Sequence, residues 1–109
     1  MNRELKVLPK ADQDIDGHFN YIVEDSLDAA VRFYDAVYAT FDTLLLRPFI
    51  GKAKVYRKPE LSGLRMWFVK GFEHYLIFYR VGEETLEIVR ILHSSRDIEK
   101  ALTEDEKTE

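Results

Sequence analysis

Residues 64–93 read LRMWFVKGFEHYLIFYRVGEETLEIVRILH, and the fold class turns on this stretch. Within it, Leu64 to Val69, Tyr75 to Val81 and Leu86 to His93 are dense in β-branched and aromatic side chains, the types that suit a pleated, half-buried surface. Between the runs lie Lys70-Gly71-Phe72-Glu73 and Gly82-Glu83-Glu84-Thr85, both of hairpin length and each containing a glycine. A three-stranded antiparallel meander is therefore predicted. If Val69 pairs with His74 and Val81 with Leu86, alternation puts Arg65, Trp67, Leu76, Phe78, Arg80, Glu87, Val89, Ile91 and His93 on one face. Met66, Phe68, Tyr75, Ile77, Tyr79, Ile88, Arg90 and Leu92 form the other, which is more apolar and is expected to pack on helices. Arg90 is the exception there. A guanidinium so placed needs an acidic or carbonyl partner, because an unpaired buried charge costs several kcal/mol.

Toward the N-terminus, Glu4 to Leu8 alternate as a short strand would, ended by Pro9. From Pro9, the apolar positions Ala11, Ile15, Phe19, Ile22 and Val23 recur at the three- and four-residue spacing of a helix, with Asp12, Asp14 and Asp16 expected to face water near its positive end. Gly17 weakens that helix by about 1 kcal/mol relative to alanine. Asp25-Ser26 offers a break and an N-cap, after which Ala30, Phe33, Tyr34, Val37, Phe41, Leu44 and Leu45 repeat the helical spacing until Arg47-Pro48. Two helices joined by a short turn form an antiparallel hairpin. Residues 48–63, with Pro48, Gly51, Pro59 and Gly63, show no sustained period and predict an irregular, mobile surface connection carrying Lys52, Lys54, Arg57 and Lys58. Beyond the meander, Ile98, Ala101 and Leu102 are spaced for one or two helical turns, and the polar run Thr103 to Glu109 is expected to fray. The reading is one α+β domain over residues 1–109: an N-terminal strand, an antiparallel helical hairpin, the meander and a short C-terminal helix.

Composition narrows the chemistry. With 109 residues, 46% hydrophobic and 13% aromatic, the chain can build one core. It has no cysteine, which excludes disulfides, thiolate zinc sites and a cysteine nucleophile, and fits a reducing compartment. The N-terminal residues show no signal-peptide pattern and nothing approaches the apolar run of a membrane span, so a soluble cytoplasmic protein is expected, with no membrane partner. The net charge of −4 conceals an asymmetry: residues 1–46 sum to −5, residues 47–96 to +5 and residues 97–109 to −4. An acidic total weighs against nonspecific nucleic-acid binding, whereas a basic middle suits phosphates or an acidic protein. His18, His74 and His93 lack the spacing of a metal site, and no glycine-rich loop opens a helix to cradle phosphate, so no metal, nucleotide or other cofactor is expected.

Several stretches resemble a known family. Ala11 to Ile22, with Tyr21-Ile22 late in the first helix, is similar to the opening of the RelE/ParE toxins; Ala29-Ala30 with Phe33, and Pro48-Phe49-Ile50-Gly51, resemble its second helix and the P-x-x-G that follows. Gly63-Leu64-Arg65 and Tyr75-Leu76-Ile77-Phe78-Tyr79-Arg80 resemble its central strands. The most specific piece is Ile88-Val89-Arg90-Ile91-Leu92-His93-Ser94-Ser95-Arg96-Asp97, similar to the I-x-R-V-L-H-x-x-R-D run of the ParE branch, the plasmid stabilisation proteins. The family often has proline near Leu27 and glycine near Ser94, and this chain has neither.

The resemblance implies the toxin of a type II toxin-antitoxin system, which inhibits DNA gyrase by binding and is neutralised in a hetero-oligomer by a cognate antitoxin. Lys52, Lys54, Arg57, Arg65, Trp67 and Arg80 are the expected target- or antitoxin-binding residues, as a basic rim around an apolar groove suits an acidic segment that folds on docking. Alternatives are a non-toxic family member and a ribosome-dependent endoribonuclease acting on messenger RNA. The last needs a base for the 2'-hydroxyl and cations for the phosphorane, for which His93, or Glu87 as base, with Arg65 and Arg80 are the candidates. Arg90, His93, Arg96 and Asp97 also admit a structural reading in which Arg96 and Asp97 fix the junction to the terminal helix, Asp97 by capping it. Trp67, Phe72, Tyr75 and Phe78 could stack bases, but strand aromatics more often build cores and interfaces.

Overall fold

The structure, a computed structural model, describes residues 2–104; of the tail expected to fray, residues 105–109 lie outside that range. Strand β1 (Glu4–Val7) leads into helices α1 (Pro9–Val23) and α2 (Leu27–Leu46), followed by β2 (Lys52–Ala53), a 3-10 turn at Pro59–Leu61, strands β3 (Arg65–Val69), β4 (Phe72–Val81) and β5 (Thr85–His93), and helix α3 (Ile98–Leu102). The predicted α+β order is present.

The helices start where local chemistry directs. Pro9 occupies the first turn of α1, where its missing N–H costs nothing. The Ser26 side chain caps α2 by accepting the Ala29 N–H at 3.0 Å. Ala30, Phe33, Val37, Phe41 and Leu44 then line one stripe of α2, all fully buried, and each of the larger side chains contributes roughly 1.5–3 kcal/mol of transfer free energy. Phe33, Val37, Phe41 and Leu44 pack with Ala11 and Ile15 of α1 onto Val69, Ile77, Tyr79, Leu86, Ile88 and Ile91 of the sheet.

The sheet order is β1-β5-β4-β3-β2, with β1 parallel to β5 and the remaining pairs antiparallel. Two irregularities overturn part of the predicted register. Gly71, at φ +82°, allows a tight Lys70-Gly71 turn, so Val69 faces Phe72 instead of His74. Glu73, His74 and Tyr75 then have no partner on β3, and pairing resumes as Phe68 with Leu76, one residue from the expected register. Between β4 and β5 the predicted pairing of Val81 with Leu86 holds as far as Tyr79 with Ile88; Val89 is then bulged out, and Phe78 faces Arg90.

Each shift flips side chains across the sheet. Arg65, Trp67, Ile91 and His93 lie on the helix-facing side with Tyr75, Ile77, Tyr79 and Ile88, whereas Met66, Phe68, Arg90 and Leu92 move to the far side with Leu76, Phe78 and Arg80. Arg65 and Arg80, expected on one face, are therefore on opposite faces. The far side carries its own core, in which Leu61, Leu64, Phe78, Leu92, Ala101 and Leu102 are buried. Residues 48–63, predicted to be irregular and mobile, supply to this layer the edge strand β2 and the 3-10 turn that buries Leu61. Thr103, placed in the fraying tail, is 6% exposed and its hydroxyl bonds the Glu99 and Lys100 carbonyls.

Candidate functional site

The two sheet faces divide the predicted binding residues. Lys52 pairs with Met66, and the Lys54 N–H bonds the Leu64 carbonyl at 2.9 Å, which puts both lysines on the far-side register. Between this connector and α3 runs a groove of about 360 Å³ lined by Lys54, Val55, Tyr56, Met66, Leu76, Phe78 and Ile98. Val55 beside it is 93% exposed. Arg57 anchors the connector to α3 through its backbone N–H, which donates to the Glu99 carboxylate at 2.9 Å. Arg80 donates to the Ser62 and Glu60 carbonyls at 3.1 and 2.6 Å and so ties β4 to the 3-10 turn. Lys52, Lys54, Arg57 and Arg80 thus belong to the grooved side. Arg65 and Trp67 do not.

Arg65 instead reaches toward the helices, where its Nη1 donates to the Gly51 carbonyl at 2.7 Å and its guanidinium lies 5.0 Å from the centroid of the Phe49 ring. Trp67 packs against the main core and stacks on Phe68, with ring centroids 4.6 Å apart.

The candidate cleavage residues do not converge. His93 pairs with Tyr75, while Arg65 pairs with Tyr79, four residues and roughly 13 Å further along β4 at the usual strand rise. Arg80, with Glu87 opposite it, faces the other side of the sheet. His93 Nδ1 accepts the Ser95 N–H at 3.1 Å, and the Ser95 hydroxyl lies 2.9 Å from the same nitrogen. These bonds hold the ring at the strand end.

Arg90 is 4% exposed and binds three elements together. Its Nε and Nη2 donate to the two carboxylate oxygens of Asp14 on α1, at 2.8 and 3.0 Å, and its Nη1 donates to the Ala101 carbonyl of α3 at 2.9 Å. Nearby, Asp97 caps α3 by accepting the Lys100 N–H at 3.4 Å, and Arg96 meets Glu104 at 3.3 Å.

Asp14, expected to face water, instead has a side chain only 12% exposed, because Arg90 and the Ile91 N–H draw it onto the sheet; neither Asp14 nor His18 was expected to bond across the fold, although their four-residue spacing on α1 is legible in the sequence. Once β1 ends, β5 has an open edge, and this pair covers it: Asp14 accepts the Ile91 N–H at 2.9 Å and His18 Nε2 donates to the Ile91 carbonyl at 2.7 Å. His18 also meets the rings of Tyr75 and Phe33 edge-on at 4.8 and 6.0 Å, and His93 touches the same Tyr75 at 5.0 Å. Among the described residues no group of side chains has the arrangement of a metal site.

Burial holds the His18 imidazole below its ordinary value; its bond to Ile91 and the charge of Asp14 oppose the shift, and His93 and Arg96 add to it. Because the folded pKa lies below the unfolded one, the unfolded chain takes up the proton first, so stability is retained above the ordinary histidine value of about 6.5 and falls as pH drops through it. Urea midpoints of the wild type and His18→Gln, measured between pH 7.5 and 5, are expected to fall with different slopes, the variant showing the shallower one. Equal slopes would remove His18 from this account.

A family model described as the ParE toxin of the type II toxin-antitoxin system parDE matches residues 5–98. Among solved structures, the fold is similar to a chain of a chromosomal ParDE toxin-antitoxin system from P. aeruginosa, with a TM-score of 0.67 and 21% identity over 84% of this chain and 95% of that one. No curated protein matches the sequence. No helix among the described residues is long and apolar enough to cross a membrane.

Proposed function

Because the chain belongs to the ParE toxin family of type II toxin-antitoxin systems, we propose that it is a cytoplasmic toxin that inhibits DNA gyrase by binding it and is held inactive by a cognate antitoxin. The observation that carries this reading is the groove on the far side of the sheet. Met66, Leu76 and Phe78 of the sheet and Ile98 of α3 line it, and Lys52, Lys54, Arg57 and Arg80 belong to the same side. An acidic, disordered antitoxin segment can lay apolar side chains along that lining while its carboxylates meet the cations, offsetting the entropy it loses on folding. Binding is favoured over cleavage because His93 lies along the sheet from Arg65 while Arg80 and the alternative base Glu87 face the other side, so neither candidate base meets both arginines at one phosphate.

A gyrase supercoiling assay run beside a cell-free translation reaction tests the proposal. Blocked supercoiling with intact messages is the expected result; cleaved ribosome-bound messages with normal supercoiling would establish the endoribonuclease instead. Normal growth on expressing the chain alone would favour a non-toxic member. For the antitoxin step, Lys52→Glu with Lys54→Glu is expected to lower the association rate about tenfold at low ionic strength and to flatten its salt dependence, with a smaller effect on dissociation. A wild-type rate that ignores salt in stopped-flow measurements would sink the electrostatic account.

A further inference from the structure

At the opposite side of the sheet, where α2 ends, Leu46 is 83% exposed and Phe49 is 60% exposed. Phe49 is held between two cations, with the Arg3 guanidinium 5.7 Å and the Arg65 guanidinium 5.0 Å from its ring centroid. Both arginines are fixed by backbone carbonyls, Arg3 to Gly82 at 2.7 Å and Arg65 to Gly51 at 2.7 Å. Arg47, exposed between Leu46 and Phe49, adds a third cation. Among the described residues, none of these three arginines forms an ion pair with a carboxylate. Beside them is a recess of about 420 Å³ walled by Asn2, Arg3, Asp42, Leu45 and Leu46.

We propose that this corner is a second docking surface, separate from the far-side groove, for an acidic peptide segment bearing one aliphatic anchor. The anchor enters the recess against Leu45 and Leu46, and the flanking carboxylates meet Arg3, Arg47 and Arg65. Charge decides the class of occupant. Three cations that, among the described residues, have no carboxylate partner repel a basic segment; in the recess wall Arg3 offsets Asp42, and Arg47 and Arg65 lie outside that wall. A second corner, around Glu4, Glu83 and Glu84 past Asn2, bounds the patch and would repel an acidic chain that overran it. The surface is also preorganised: the Ile50 N–H bonds the Arg47 carbonyl at 3.1 Å, and the buried Tyr79 hydroxyl holds both Pro48 and Gly51, so little conformational freedom is lost at Phe49 on binding. Arginines around a fixed aromatic ring are the composition in which binding energy concentrates.

Whichever protein is poisoned, the corner can be probed with peptides and the full chain. A short Asp/Glu-rich peptide with a central leucine is titrated against labelled protein, alongside its Leu→Ser version and a Lys-rich counterpart. Shifts are expected first at the Leu46 methyls and the Phe49 ring, with the serine version and the basic peptide binding at least about tenfold more weakly. Phe49→Ala and Arg47→Glu, both at exposed positions, are each expected to weaken the acidic leucine peptide about tenfold while near-UV circular dichroism stays native. Shifts confined to Val55, Tyr56 and Ile98, equal binding of the serine version, or variants that bind as well as the wild type would each overturn the proposal.

Discussion

Replacing Arg90 by methionine is expected to lower the stability of the fold by about 3–5 kcal/mol, the usual cost of removing one partner from a buried ion pair. Methionine fills much of the volume, so the loss is electrostatic. Asp14, whose side chain is 12% exposed, would keep the Ile91 N–H but lose both guanidinium bonds, and the Ala101 carbonyl would lose the Arg90 donor. For domains whose whole stability is about 5–15 kcal/mol, such a loss is a large fraction. Urea denaturation should show it as a lower midpoint with an unchanged slope. A double variant, Arg90→Met with Asp14→Leu, should recover part of the loss because the stranded carboxylate is gone, although the Ile91 N–H then goes without a partner. A cost below about 1 kcal/mol for Arg90→Met would mean that the bridge between α1, β5 and α3 is not what holds them together.

The same arginine shows how far the sequence could be read. Its need for an acidic or carbonyl partner followed from one charge in an apolar strand, and the structure supplies both kinds, yet the face predicted for it was the wrong one. Period-two alternation carries no trace of a bulge, and Val89 has the same β-branched character as its neighbours, so nothing in the run Ile88-Val89-Arg90 marks where the faces exchange. The signal for the first shift was present but read too loosely. Lys70-Gly71 alone suffices for a turn once glycine takes positive φ, and a shorter turn moves Arg65 to the helices and Trp67 into the main core. The helices were legible because their stripes are long and Ser26 caps α2. The site was less so, because Asp14, His18, Phe49 and Tyr79 act through partners 28 to 77 residues away in sequence or through an exposed ring, and no local pattern encodes such distances.

Gly51 is where those long-range contacts are tightest, and Gly51→Ala is expected to cost about 3 kcal/mol, the upper part of the range for overpacking a filled core. A Cβ there would strike the Tyr79 hydroxyl and come within 2.8 Å of Tyr79 Cε1 and 2.9 Å of the Met66 carbonyl. Tyr79 cannot swing away, being fully buried in the main core, and the Met66 carbonyl is backbone. Burial also pushes the Tyr79 phenol up, against the smaller opposing effects of Gly51 and Arg65, so it stays protonated, donating to the Pro48 carbonyl at 2.8 Å while accepting the Gly51 N–H at 2.9 Å. Tyr79→Phe alone should therefore cost about 1–3 kcal/mol for each group left without a partner. The two losses should not add, because phenylalanine lacks the oxygen that the new methyl strikes; a double-mutant cycle is expected to give a coupling of about 0.5–3 kcal/mol in the direction of relief. Strict additivity would show that the loop yields at Gly51 without disturbing Tyr79. In that case Phe49, two residues earlier on the same loop, would not be held rigidly either, and the preorganisation claimed for the docking corner would fail with it.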